Sequence, residues 1–276
     1  MWNFLKRKQH RKFKLGVTYS LFSGEELLEQ SIKSIRNQVD YINVVYQKKS
    51  WYGNDASPDV PELLKRLKEK GLIDTCIEYV FTDFSNHAKI SHYVLDKKSK
   101  GIDDLRKNHC THCMIMDVDE FYIEEEFKAA KEFIYKNNIS HSCCSIYDYK
   151  ISPTYRKRDV NNYAVPFIFK LTKKSKLSEH HNIPCTIDPL RAFRFIDKKD
   201  KFYYLNTVVM HHMTGIRNDF DKKLDNSVTN SISWGKEFLN KFRNNHLYLS
   251  SLTENELLEN GYILVEDIFH LKGQSL

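Results

Sequence analysis

The chain is 276 residues long, with 41% hydrophobic and 13% aromatic residues; that is enough for a sizeable core and excludes a disordered chain. Nine glycines and six prolines leave little room for long flexible linkers. The formal charge is +7, but Lys6, Arg7, Lys8, Arg11, Lys12 and Lys14 all fall in the first 14 residues, so the remainder is near neutral and carries no body-wide nucleic-acid footprint.

Residues 1–14 mix those cations with Trp2, Phe4, Leu5 and Phe13. Such a segment can lie on an anionic membrane surface, or it is a solvated basic lead-in. No apolar stretch of signal-peptide type follows it, and no run of 18 apolar residues occurs, so neither a secretory signal nor a transmembrane helix is expected. The six cysteines sit largely inside strand-like apolar runs, as free thiols do in a reducing compartment. The expected location is cytoplasmic, peripheral on the inner face of the membrane if the lead-in binds lipid.

Residues 15–22 read as a first strand. Ser23 and Glu26 then have capping-box spacing before a helix with Leu28, Ile32, Ile35 and Val39 on one face. Residues 41–46 form a second strand, which makes a βαβ unit and demands a parallel pair with a right-handed crossover. Pro61 and Gly71 bound a second helix, and residues 75–81 a third strand. Residues 86–108 have helical periodicity with a break expected near Gly101. A fourth strand runs into Asp117, a helix covers 124–137, and strands are expected at 142–147, 165–171 and 203–210, the last ending on His211 and His212. From about Asp219 the pattern is helical, with a second capping box at Thr253 and Glu256. The fold class is α/β: a mixed, mostly parallel sheet flanked by helices, with a helical C-terminal segment. The expected divisions are a lead-in at 1–14, a catalytic domain at 15–217 (15–122 for the nucleotide, 123–217 for the acceptor) and a helical extension at 218–276.

The stretch with most chemistry is Cys113-Met114-Ile115-Met116-Asp117-Val118-Asp119-Glu120-Phe121-Tyr122. An apolar strand ending in carboxylates places them at the edge of an open sheet, where ligands bind. If the strand continues, Asp117 and Asp119 share a face, and paired oxygen donors suit a hard divalent cation, which suits phosphate. The alternative is an acidic strand-to-helix turn. A histidine at another strand tip can complete a metal shell, and His211 and His212 stand at such a tip; one surface and one packed imidazole is the competing reading.

The run Asn86-His87-Ala88-Lys89, then Gly101-Ile102 and residues 111–122, resembles the segment leading into the DxD motif of GT-A nucleotide-sugar glycosyltransferases, in particular family 2-like members. Tyr19 to Phe22 with the helix behind them resembles the first nucleotide-binding unit, and His212-Met213-Thr214-Gly215-Ile216-Arg217 resembles the late His and basic motif. The resemblance implies a GT-A fold and transfer of a sugar from a nucleotide-diphosphate donor to a glycan or lipid-linked acceptor hydroxyl. Mn2+ or Mg2+ would be the cofactor, and no nucleic-acid partner is implied. It implies Asp117 at the ribose or metal, Asp119 as principal metal ligand, His212 (with His211 as the other candidate) completing the shell, and Arg217 at the diphosphate. Tyr19 and Phe22 would border the nucleoside, and Lys89 would reach nucleoside or phosphates. Gln47 stands with Lys48 and Lys49 where many members carry acids, which leaves the base open. An inverting enzyme also needs a carboxylate at the acceptor hydroxyl, with Asp188 and Asp148 the candidates.

Other readings have less support. Cys110 and Cys113 have half-site zinc spacing without a second knuckle. A haloacid-dehalogenase-like phosphatase wants Thr or Val where Phe121 stands. A metal-dependent nuclease using the Asp-x-Asp-Glu cluster is the rival enzyme, and a non-catalytic carbohydrate-binding module the third reading.

Overall fold

The computed structural model describes residues 13–194 and 199–272. Apart from Phe13 and Lys14, the basic lead-in lies outside them.

The chain opens with β1 (Leu15–Leu21), α1 (Glu25–Ile35), β2 (Tyr41–Tyr46), α2 (Val60–Glu69) and β3 (Thr75–Glu78). β1 pairs in parallel with β2, and β2 with β3, so the expected βαβ start is present. Then come α3 (Ile90–Lys107), β4 (His112–Asp117), the short β5 (Glu120–Phe121) and α4 (Glu124–Asn137). β4 lies parallel to β1 on its other side. Because β1 is flanked by both β2 and β4, the chain changes direction at β1, and a crevice opens at the C-terminal ends of β1 and β4.

Next are β6 (His141–Lys150), β7 (Tyr155–Lys157), β8 (Val165–Lys170) and β9 (Phe202–Gly215), followed by α5 (Phe220–Asp225), α6 (Gly235–Ser250), α7 (Glu254–Glu259) and β10 (Tyr262–Leu264). The sheet order is β10-β7-β6-β8-β4-β1-β2-β3, with β9 alongside β6 and β5 on β9. Most paired residues lie in parallel ladders; the antiparallel pairs are β4 with β8, β8 with β6, β6 with β7, β7 with β10, and β5 with β9. This is the mixed, mostly parallel α/β sheet flanked by helices that the sequence predicts.

One face of the sheet packs Leu28, Ile32 and Ile35 of α1, Leu64 and Leu67 of α2, and Phe127, Ala130 and Ile134 of α4 against Val17, Val44 and Met114. The other face carries α3. Its buried stripe is Ile90, Val94, Lys97, Lys98, Gly101, Ile102 and Leu105, at helical spacing.

Several local expectations change. α3 continues through Gly101 without a break. A Cβ there would stand 1.9 Å from Thr18 Oγ1 and 2.9 Å from Val45 Cγ2, so glycine serves the close approach of helix to sheet. Ser23 does not cap α1: Gly24 is the N-cap, at φ 79°, and its N–H donates to Asp219 Oδ2 at 3.0 Å. The box at Thr253 and Glu256 forms as expected. β9 does not end at His212 but runs on to Gly215, because Asp148 and Glu120 pair beside His212 and extend the ladder. The C-terminal stretch is not purely helical, since β10 adds a strand antiparallel to β7. No helix among the described residues is long and apolar enough to cross a membrane.

Candidate functional site

A cavity of about 670 Å³ opens at the crevice. Phe22 and Ser23 follow β1 into its wall; Gln47, Ser50 and Trp51 follow β2; and Val94, Lys97 and Lys98 come from α3. Asp117 and Asp119 form its edge at the end of β4, with Asp188 and Leu190 on one side and Arg217, Lys223 and Asn226 on another. Two ties hold the later segment over the loop after β2: Tyr52 Oη donates to Ser227 O at 3.1 Å, and Asn54 Nδ2 to Asn226 Oδ1 at 2.9 Å.

The strand ends at Asp117 and the chain turns through Val118 and Asp119, so the two carboxylates do not share a strand face as period-2 spacing implies. Each has its own cations. Asp117 is bonded by Arg191, which also holds Glu120 and, through Nε at 3.0 Å, Asp188. Burial alone would raise the Asp117 pKa, but Arg191 and Lys98 outweigh it and hold the carboxyl below its usual range. Glu120 goes the other way: burial raises it and Asp117 adds to this, against the pull of Arg191.

Asp119 is 1% exposed. Its Oδ2 accepts from Lys223 and, at 3.4 Å, from Arg217. Its other oxygen, Oδ1, faces His212 Nε2 at 3.9 Å. Burial opposes ionisation there too, yet Lys223, His212 and Arg217 together keep the carboxyl well below the ordinary carboxylate range. His212 is oriented from behind, since its Nδ1 lies 3.1 Å from Asp148 Oδ1. Arg217 is buried, and it donates to Ser23 Oγ at 2.7 Å and to Asp219 at 2.8 Å. A Cβ on Gly24 would come within 2.6 Å of the Arg217 guanidinium, so glycine there lets the arginine lie against the start of α1.

The expected site residues divide accordingly. Phe22, Gln47, Asp117, Asp119, Asp188 and Arg217 all line the cavity, and His212 stands beside Asp119. Tyr19 does not reach the cavity: it is fully buried on β1, and its hydroxyl lies 3.1 Å from Ser31 Oγ. Lys89 ends the 3-10 turn before α3 and is not in the cavity wall. Asp148 lies behind His212, not on the wall. His211 faces away, as alternation along β9 requires; its Nδ1 lies 2.8 Å from Tyr149 Oη, and burial pushes its pKa down to about 4.

Four basic groups escape sequence reasoning. Arg191 and Lys223 come from loop and short-helix segments whose place is set only by the tertiary fold. Lys97 and Lys98 did leave a signal. They occupy positions seven and eight after Ile90 on the apolar stripe of α3, where a charge run that merely faced solvent would not fall.

Among the described residues no group of three or more His, Cys, Asp and Glu side chains is placed to hold a metal ion. The expected ligands Asp117, Asp119 and His212, with His211 as the other candidate, do not form such a group: Asp117 is turned to Arg191, one oxygen of Asp119 is taken by Lys223 and Arg217, and His211 belongs to the opposite face. What does fit is a pair, Asp119 Oδ1 and His212 Nε2, with His212 backed by a carboxylate as metal-bound histidines usually are. Magnesium-like cations accept one or two protein donors when water and phosphate supply the rest.

No family model matches the chain, and no curated protein matches it. Among solved structures it is similar to TarS of S. aureus, at 8% identity and a TM-score of 0.38, over 57% of this chain and 28% of that one. It is also similar to residues 1–349 of S. aureus TarS in complex with UDP, at 10% identity and a TM-score of 0.39, over 90% of this chain and 78% of that one. The chain thus spans well under a third of the first of these. At such distances the functional reading rests on the side chains of the cavity itself.

Proposed function

We propose that the protein is a glycosyltransferase that moves a sugar from a nucleotide-diphosphate donor to a hydroxyl of a glycan or lipid-linked acceptor, using Mn2+ or Mg2+. The observation that carries this reading is the approach of His212 Nε2 to Asp119 Oδ1 at the edge of a cavity whose wall gathers Asp119, Arg217, Lys223, Lys97 and Lys98. Asp119 and His212 would hold the cation, whose chemistry is to neutralise charge developing on the departing diphosphate. Arg217 and Lys223, anchored on the same carboxylate, present fixed positive charge without reorganisation.

Gln47 supports a nucleobase at the β2 end of the cavity. Its Nε2 donates to Lys49 O at 2.7 Å, while its Oε1 is buried with no partner among the described residues and calls for an N–H donor. Trp51 and Phe22 supply aromatic wall beside it. In the transfer, the acceptor oxygen bonds to the anomeric carbon as the bond from that carbon to the diphosphate oxygen breaks. With inversion, the acceptor proton passes to a carboxylate on the wall, and Asp188, held by Arg191, is placed there. Asp148 is reassigned from that role to orienting His212. The lead-in at residues 1–14 would set the protein against anionic lipid on the cytoplasmic face; deleting residues 1–13 should weaken binding to anionic vesicles and leave donor binding alone.

A thermal-shift panel of UDP-, GDP- and CDP-linked ligands, with and without manganese, tests the proposal. Stabilisation by one base class, increased by manganese, is expected. A panel flat for every nucleotide would overturn it and favour the nuclease reading.

A further inference from the structure

The floor of the cavity carries two adjacent lysines of α3 that the proposed chemistry leaves unassigned. Lys97 and Lys98 are each only 5% exposed. Both line the cavity, yet neither forms an ion pair among the described residues. Lys97 Nζ donates to Leu21 O, the last residue of β1, at 2.9 Å. Lys98 Nζ donates to Leu190 O at 3.3 Å. An ammonium has three donors, so each keeps bonding capacity beyond its single carbonyl. Buried lysines without an acid partner are costly, because desolvation penalises the charged form. The same cost lowers the Lys97 pKa to about 7, with Asp117 pulling the other way and Lys98 adding to the fall.

Two structural explanations do not account for the pair. A helix that only needed to pack on β1 and β2 would place apolar side chains at these stripe positions, as it does at Val94, Ile102 and Leu105. The nearby acids are already engaged by other cations: Asp117 and Asp188 by Arg191, and Asp119 by Lys223 and Arg217. What remains open to both ammoniums is the cavity.

We infer that Lys97 and Lys98 form an anion-binding pair that takes phosphoryl oxygens of the bound nucleoside diphosphate independently of any cation at Asp119 and His212. The inference rests on the donor-binding reading above for the ligand, but its geometry is that of the α3 floor. Two lysines side by side on a helix suit a ligand with charge on adjacent phosphoryl groups better than a single carboxylate. The pair thus sets a preference for diphosphate over nucleoside before a metal is added.

Isothermal titration in excess chelator, with UDP, GDP, CDP, the matching nucleosides and inorganic pyrophosphate, tests this on wild type, Lys97→Met, Lys98→Met and the double variant. Circular dichroism checks folding, and Lys98→Arg serves as the charge-conserving control. Each Met variant should weaken the best diphosphate roughly 10- to 100-fold, the range for loss of a charged hydrogen bond. Nucleoside affinity should be unchanged, and Lys98→Arg should retain most diphosphate affinity. An unchanged ratio of diphosphate to nucleoside affinity in the folded double variant overturns the inference and leaves the transferase proposal standing. Pyrophosphate binding that the double variant loses, with no binding of any nucleoside diphosphate, keeps an anion site at the pair but overturns its nucleotide ligand together with the transferase proposal. Absence of binding to every anion probe overturns both.

Discussion

His212 presents Nε2 to Asp119 Oδ1 at 3.9 Å while Asp148 holds its other ring nitrogen at 3.1 Å. The two donors come from β9 and from the turn after β4, and they are brought together because β5 pairs with β9 at Glu120 and His212. The backbone N–H of Met213 donates to Asp119 O at 2.7 Å and fixes the turn from below. The aspartate is therefore positioned by a sheet, not by a loose loop.

The first prediction concerns Asp148, which acts through His212. Asp148→Asn keeps the shape but removes the charge that orients the imidazole. The manganese concentration needed for half-maximal donor stabilisation should rise about 10- to 100-fold, and saturating manganese should restore most of the effect. The check is a manganese titration in the thermal-shift assay. If the midpoint does not move, Asp148 does not act on a metal through His212.

A second prediction follows from the burial of Lys97. An unfolded lysine titrates near 10.4, whereas the folded group lies at about 7. Between those values the unfolded chain holds a proton that the folded chain has released. Stability from this group therefore rises with pH across that window, and the full penalty applies below it. Lys97→Met removes the penalty. It should melt above wild type near pH 6, by a few kcal/mol at about 1.4 kcal/mol per pKa unit, with the gap closing toward about pH 10. Melting curves over that range decide it; a variant less stable than wild type at the acid end contradicts the account.

The third prediction tests how α3 is seated. Gly101→Ala would ordinarily favour a helix by up to about 1 kcal/mol, but here the new Cβ meets Thr18 Oγ1. Overpacking should win, lowering stability by about 1–3 kcal/mol. The double variant Thr18→Ala, Gly101→Ala should recover part of that loss in denaturant unfolding. A neutral or stabilising Gly101→Ala would mean the helix stands further off the sheet.

How much of this was legible beforehand depends on how local each signal is. The βαβ start, the apolar strand into Asp117 and the helix over 124–137 rest on periodicity and turn residues a few positions apart, and the structure places them as read. Gly101 misled, since a glycine inside a helix pattern reads as a break unless one knows that a threonine on β1 lies beneath it. Ser23 and Glu26 had the spacing of a cap but bond instead to Arg217 and the Asn218 backbone N–H, nearly two hundred positions away. The fate of Asp117 was likewise hidden, because Arg191 reaches it from 74 positions on. Alternation along β9 could have separated His211 from His212, had the strand been carried past them.

The central claim is that Asp119 and His212 together hold a divalent cation against a nucleoside diphosphate. Its most direct test is Mn2+ electron paramagnetic resonance with the best-binding nucleoside diphosphate from the panel, on wild type, Asp119→Asn and His212→Ala. The account predicts that the nucleotide draws manganese into the bound signal in wild type. It predicts that either variant, still folded, loses that signal by a factor on the order of 10 or more. Equal manganese binding in all three proteins, or none in wild type at saturating nucleotide, would contradict it.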